Sequence, residues 1–298
     1  MKREIKYSQV DSSAIPNDLV ENIGHVIGSF STVLIKLSIH ENGVPYQHPF
    51  GTGTFVTVGS ASGILTAIHV CDKFSNADAL GLTLIKSEHN VTVPWQHITR
   101  IDVEPWLNEE YGPDMSLLVL PEIYLSRIRP HKSFYLLGKK DNMSGRQDAK
   151  QDPWFVHGLI GERTTNEVST KGFAKVKGLH TLSTMSYRES ILTRGKYDYI
   201  EVLVDSGVLE SPMRYRGTSG GGLWRVPLLM DPNSGLISVK NYILAGVAFY
   251  ETEQESGKRK IRCHGPKSLD QIVLRATRAT TLATTLATLI SRSSPSQS

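Results

Sequence analysis

The sequence holds 298 residues, 39% of them in the broad hydrophobic class, enough to bury a sizeable core in one large or two medium domains. Charged residues make up 21% and the formal balance is +4 with ten His left neutral, which lacks the dense basic stripe of a nucleic-acid binder. Two cysteines, Cys71 and Cys263, exclude a disulfide-rich framework, and two free thiols are expected. There is no run of about 18 apolar residues and no apolar leader after Met1, so a cytoplasmic protein with no membrane partner is expected.

In chain order, residues 15–30 open with Pro16, Asn17 and Asp18 and then repeat apolar residues at helical spacing, which predicts a short amphipathic helix within an N-terminal extension of residues 1–30. From Ser31 the texture becomes β-branched and alternating, in runs at 31–39, 51–58, 63–70, 79–86 and 115–121 separated by Gly, Asn, Pro and Ser. These predict an N-terminal barrel over 31–140. The polar stretch from Gly138 to Asp152 reads as a surface connection. A second set of strand-like runs follows at 154–161, 199–205, 221–229, 242–250 and 258–265, then a helix at 268–276, giving a C-terminal barrel and helix over 150–276. Residues 277–298, rich in Thr, Ala and Ser, are expected to form a flexible tail. Many short strands with no long helices between them predict an all-β fold of two antiparallel six-stranded barrels, with a short N-terminal and a C-terminal helix.

Three short pieces carry chemistry. In Gly63-Ile64-Leu65-Thr66-Ala67-Ile68-His69 a strand-like run delivers an imidazole at its end, as a general base needs, rigid behind and open in front. In Gly112-Pro113-Asp114-Met115 an Asp stands at the mouth of an apolar strand, where it could be buried against an imidazole. In Arg216-Gly217-Thr218-Ser219-Gly220-Gly221-Gly222 glycines flank a Ser, leaving its hydroxyl unshielded and letting backbone N–H groups turn toward one point. A nucleophile, a base, a group to orient the base and donors for an oxyanion are the parts that acyl transfer requires.

LTAIHVC, PDMSLLVL and GTSGGGLW resemble the His, Asp and Ser blocks of the trypsin-like (chymotrypsin-fold) serine peptidases, in that family's chain order. The strand-like Ile243 to Tyr250 is similar to the family strand that pairs with substrate backbone. The resemblance implies a serine endopeptidase needing no cofactor, with His69, Asp114 and Ser219 as its triad and the N–H groups of Gly217 and Ser219 as its oxyanion hole. It implies a specificity pocket formed by Met213 at its floor with Ala248, Phe249, Tyr250 and Glu251 beside it, and Arg262 able to neutralise Glu251. As a stand-alone domain of intracellular, bacterial type, it resembles proteases used as regulated effectors, including in antiviral defence.

The departures carry information too. Thr218 stands where secreted trypsins have the Asp that pairs with a freshly cut N terminus, and no Ile-Val-Gly-Gly activation site occurs. The oxyanion hole must then be set by the loop Ser211 to Gly217 or by a regulatory protein partner. Cys71 is displaced from the family's bridge position, so that disulfide is not carried over. Asp205-Ser206-Gly207 lacks a second Gly and reads as a strand-to-turn segment, and Lys258-Arg259-Lys260 as a solvated turn. Scattered His such as His40, His48, His89 and His131, with two isolated Cys, show no metal-ligand spacing. Two other readings compete: a non-catalytic peptide-binding module of the same fold, and an esterase, whose Gly-x-Ser-x-Gly elbow is missing. The partner expected is a polypeptide.

Overall fold

The computed structural model describes residues 15–39, 45–84, 91–104, 111–138, 152–168, 174–177, 179–205, 211–252, 256 and 258–293. The N-terminal 14 residues, most of the polar stretch between Gly138 and Asp152, and Ser206-Gly207 lie outside the described residues. Helix α1 (Asn17–Ser29) starts at Pro16, whose extended backbone presets the first turn, and buries Ile23 and Ile27. One carbonyl of its last turn is met by a buried amine: Lys132 Nζ donates to Gly28 O at 3.2 Å, and also to Ser31 O at the start of the next strand. Burial, with little else to offset it, pulls the Lys132 ammonium down to about 7.

The chain then enters β1 (Ser31–Ile39), β2 (Pro45–Val58), β3 (Ala61–Thr66), helix α2 (Ile68–Asp72), β4 (Ala79–Leu82), β5 (Val91–Pro94), β6 (Thr99–Asp102), β7 (Ser116–Val119), helix α3 (Glu122–Ile128) and β8 (Tyr135–Leu137). These strands make a curled antiparallel sheet in the order β5-β4-β1-β2-β3-β7-β6, with β8 parallel to β2. Among the described residues no ladder joins β5 to β6, so this sheet is curled but not a closed six-stranded barrel; a single 3-10 turn, Trp95–His97, carries the chain round the corner between them. The second half supplies β9 (Trp154–Leu159), β10 (Thr165–Val168), β11 (Ala174–Lys177), β12 (Thr181–Arg194), β13 (Tyr197–Asp205), β14 (Gly222–Arg225), β15 (Leu228–Met230), β16 (Ile237–Val239), β17 (Ile243–Glu251) and β18 (Lys258–His264). Six of them close into the barrel β12-β13-β18-β17-β14-β9. The hairpin of β10 and β11 instead joins the first sheet through β2, crossing the expected division of the chain near residue 150.

The fold is therefore mostly β, two curled antiparallel sheets with a helix at each end. The C-terminal helix α4 runs over Pro266–Ser293, well past the expected stop near Ala276 and through most of the segment read as a flexible tail. Its threonines return their hydroxyls to the preceding turn, Thr277 to Val273 O at 2.8 Å and Thr281 to Thr277 O at 2.9 Å, so they do not compete for other backbone groups. One large core cluster spans the two modules, and the second barrel holds a further core of its own around Trp154, Val202 and Ile261. Trp224 of β14 lies 5.1 Å from the Phe30 ring and 5.4 Å from the Tyr135 ring, bringing the end of α1, the first sheet and the second barrel together. Trp224, fully buried, contributes about 2 kcal/mol relative to exposure. Among the described residues no helix is long and apolar enough to cross a membrane.

Candidate active site

His69 does not end a strand as its sequence context suggests. β3 stops at Thr66, Ala67 stays extended, and His69 is the second residue of the short helix α2, where Ile68, Val70 and Cys71 are buried and the imidazole keeps partial exposure. Its Nδ1 lies 2.5 Å from Asp114 Oδ2, and its backbone N–H donates to Asp114 Oδ1 at 3.0 Å. One carboxylate thus holds both the ring and the main chain of the same residue. The Asp114 side chain is only 1% exposed, two positions before β7. An Asp in that position fixes the tautomer with hydrogen on Nδ1 and leaves Nε2 as the basic nitrogen.

Ser219 comes from the other module, in the turn before β14. Its turn docks on β2, close to helix α2. Thr52 N–H donates to Ser219 O at 2.9 Å, and Thr52 Oγ1 donates to Gly217 O at 2.8 Å while accepting Leu159 N–H at 2.8 Å. A Cβ on Gly51 would stand 2.9 Å from the Val70 methyls and 3.0 Å from Ser219 O, so only glycine lets α2 and the Ser219 turn approach there. Gly220, at φ +85°, passes so close to Thr52 O and Thr66 Oγ1 that a Cβ would lie 2.1 Å from each. The expected Gly-rich turn is therefore a tight docking element.

Within that turn Thr218 N–H is bound to Tyr215 O at 3.0 Å, Gly220 N–H to Ala248 O at 2.7 Å and Gly221 N–H to Thr218 O at 2.7 Å. Thr218, in place of the trypsin Asp, is 3% exposed and gives its hydroxyl to Tyr215 O. Among the described residues the N–H groups of Gly217 and Ser219 and the Ser219 hydroxyl have no hydrogen-bond partner, which leaves them available to a ligand. Beside them opens a pocket of about 130 Å³ lined by residues 215–219, Ala248, Phe249, Tyr250, Glu251 and Ile261.

The structure pairs His69 with Asp114 and places Ser219 beside Ala248 to Glu251, and Met213 is not among the residues that line that pocket. Backbone N–H groups of Met213 and Arg214 bind the Glu162 carboxylate at 2.8 and 3.1 Å, and Met213 is 54% exposed. Arg262 does not neutralise Glu251; it is committed to Glu201 at 2.7 Å. Glu251 instead accepts Tyr215 N–H at 2.9 Å and pairs with Arg259 at 3.3 Å. Burial raises the Glu251 carboxyl while that N–H, Arg259 and Arg214 oppose the rise. Cys71 and Cys263 are buried and unbridged, the Cys71 thiol pushed up to about 12 by burial, which makes both inert. Among the described residues no cluster of His, Cys, Asp or Glu could hold a metal.

No family model matches the chain, and no curated protein matches it. Among solved structures, one described as "Aromatic interactions drive the coupled folding and binding of the intrinsically disordered Sesbania mosaic virus VPg protein" is similar at 13% identity with a TM-score of 0.37, over 87% of this chain and 91% of that one. The two curled antiparallel sheets are consistent with a chymotrypsin-like fold.

Proposed function

We propose that this protein is a serine endopeptidase acting through His69, Asp114 and Ser219. The observation that carries the reading is the buried Asp114 carboxylate, which takes both the Nδ1 and the main-chain N–H of His69. A structural histidine needs no such double anchor. On this reading Ser219 Oγ attacks the scissile carbonyl as His69 Nε2 accepts its proton, and the carboxylate of Asp114 stabilises the imidazolium. The N–H groups of Gly217 and Ser219 receive the oxyanion; one such donor is worth about 3 kcal/mol in the barrier. His69 returns the proton to the leaving amine, and water then hydrolyses the acyl-enzyme by the same path. Substrate is an extended polypeptide running along β17, whose pocket-side stretch Ala248 to Glu251 adjoins Ser219.

The test is covalent labelling of Ser219 by a fluorophosphonate, located by mass spectrometry, together with cleavage of a peptide library. Wild type is expected to be labelled at Ser219 and to cleave, and Ser219→Ala to do neither while melting at the same temperature. An unlabelled wild type that still binds peptides would favour a non-catalytic binding module instead.

A further inference from the structure

Asp114 belongs to the first module, yet the groups that hold its backbone belong to the second. Its N–H donates to His264 Nε2 at 2.9 Å, and Tyr199 OH reaches the carbonyls of Tyr111 at 2.7 Å and Gly112 at 3.1 Å. Tyr199 on β13 and His264 on β18 are direct cross-strand partners, their rings 5.3 Å apart. His264 is fully buried, and its other face stacks on Phe249 at 4.3 Å and 24°, the same Phe249 that lines the pocket. Because Nε2 accepts a backbone N–H, the neutral ring carries its proton on Nδ1, which is buried and has no partner among the described residues. An imidazole kept in that state, at the cost of an unpaired N–H, is serving the acceptor role.

Resting on the serine peptidase reading above, we propose that the Tyr199–His264 pair is a positioning clamp that sets Asp114, and through it the tautomer and aim of His69. His264 touches neither substrate nor the reacting atoms. It acts by fixing the main chain from which the carboxylate projects, and its stack on Phe249 ties that carboxylate to the pocket wall. Burial agrees with the role, holding the His264 imidazole down to about 4 against the pull of Asp114, so that Nε2 remains an acceptor at neutral pH.

The experiment compares wild type with His264→Leu, His264→Gln and Tyr199→Phe in the full chain. Gln reaches the Nε2 position with an amide oxygen and so keeps an acceptor for Asp114 N–H; Leu keeps bulk and loses it. Fluorophosphonate labelling reads the nucleophile, and the downfield proton signal of the His69–Asp114 hydrogen bond reads the aim of the carboxylate without any turnover. His264→Leu is expected to lower the maximal labelling rate by about 10- to 100-fold at unchanged probe affinity, to shift or broaden the downfield signal, and to be largely rescued by Gln. Tyr199→Phe, which removes one hydroxyl from a packed ring, should show the same pattern more weakly, and it carries the test if His264→Leu does not fold. Wild-type labelling and an unmoved downfield signal in both His264→Leu and Tyr199→Phe would overturn the clamp. A wild type that is never labelled, with a downfield signal that still moves in the variants, would instead remove the peptidase reading and keep the clamp.

Discussion

Thr52→Val tests whether the nucleophile turn is held by the opposite module. The side chains are nearly isosteric, so the change deletes a hydroxyl and leaves packing in place. That hydroxyl donates to Gly217 O and accepts the buried N–H of Leu159, each at 2.8 Å. Stranding a buried donor or acceptor costs about 1–3 kcal/mol; the Leu159 end is fully buried and the Gly217 end partly so, giving about 2–4 kcal/mol together. At this chain size that corresponds to a fall in Tm of roughly 3–6 °C. On the proposed reading Gly217 also supplies an oxyanion donor, so fluorophosphonate labelling of Ser219 should slow by more than about tenfold. Thr52→Ser, which retains the hydroxyl, should recover most of both losses. Chemical denaturation with parallel labelling kinetics decides the matter: a Val variant within about 0.5 kcal/mol of wild type and labelled at the wild-type rate would refute the argument.

Asp114→Asn should keep the fold but favour the wrong His69 tautomer, lowering turnover by roughly 10⁴ by analogy with the corresponding change in a well-characterised triad; a loss under tenfold, measured as labelling rate, would mean that another group orients His69. His157 and His264 are both buried neutral, lowered to about 3 and about 4, by desolvation first and, for His157, by Lys132 as well. Their folded pKa values lie below the ordinary 6.5, so the unfolded chain binds protons first and stability present above pH 6.5 is lost as pH falls toward 4, by about 3 kcal/mol per residue. His157→Asn, which can still meet Ser183 Oγ, should flatten part of that slope in urea titrations at pH 4 to 7; a slope equal to wild type would contradict it.

Much of the frame was legible because its signals are local. The apolar run from Ser31 to Ile39 became β1 at both ends, and the Pro-Asn-Asp start of α1 marked its first turn. Strand β12 was missed because TLSTMSYRESILTR has neither alternation nor an apolar core; it is held by ladders to β9 and β13 that only the folded barrel supplies. The candidate triad was proposed because three motifs fell in one order, and the pairing of His69 with Asp114 is the part of it on which the geometry bears. Its supports were not legible, since Thr52, Tyr199 and His264 act across sequence separations that leave no local mark. One trace existed: glycines either side of Thr52 inside an otherwise β-branched strand mark close backbone approach. Met213 failed as a pocket residue for a related reason, because Glu162, far away in sequence, captures its backbone.

On the proposed reading, two of the three triad residues are supported by the module that does not contribute them, while His69 is held by Asp114 of its own module. Asp114, from the first sheet, is held by Tyr199 and His264 of the second barrel; the Ser219 turn, from the second barrel, is held by Thr52 of the first sheet. Neither module alone can present a finished site, because each would keep a reactive residue and lose its support. If the site is catalytic as proposed, docking of the modules and completion of the site are one event, and the free energy of docking bounds the fraction of molecules able to react. Helix α1 bears on that event, since Lys132 of the first module caps its end while Gly24 O accepts Ser183 Oγ of the second at 3.4 Å. A ligand that binds better to the docked arrangement raises the competent fraction by its differential affinity for the two arrangements, with no need for a cut N terminus.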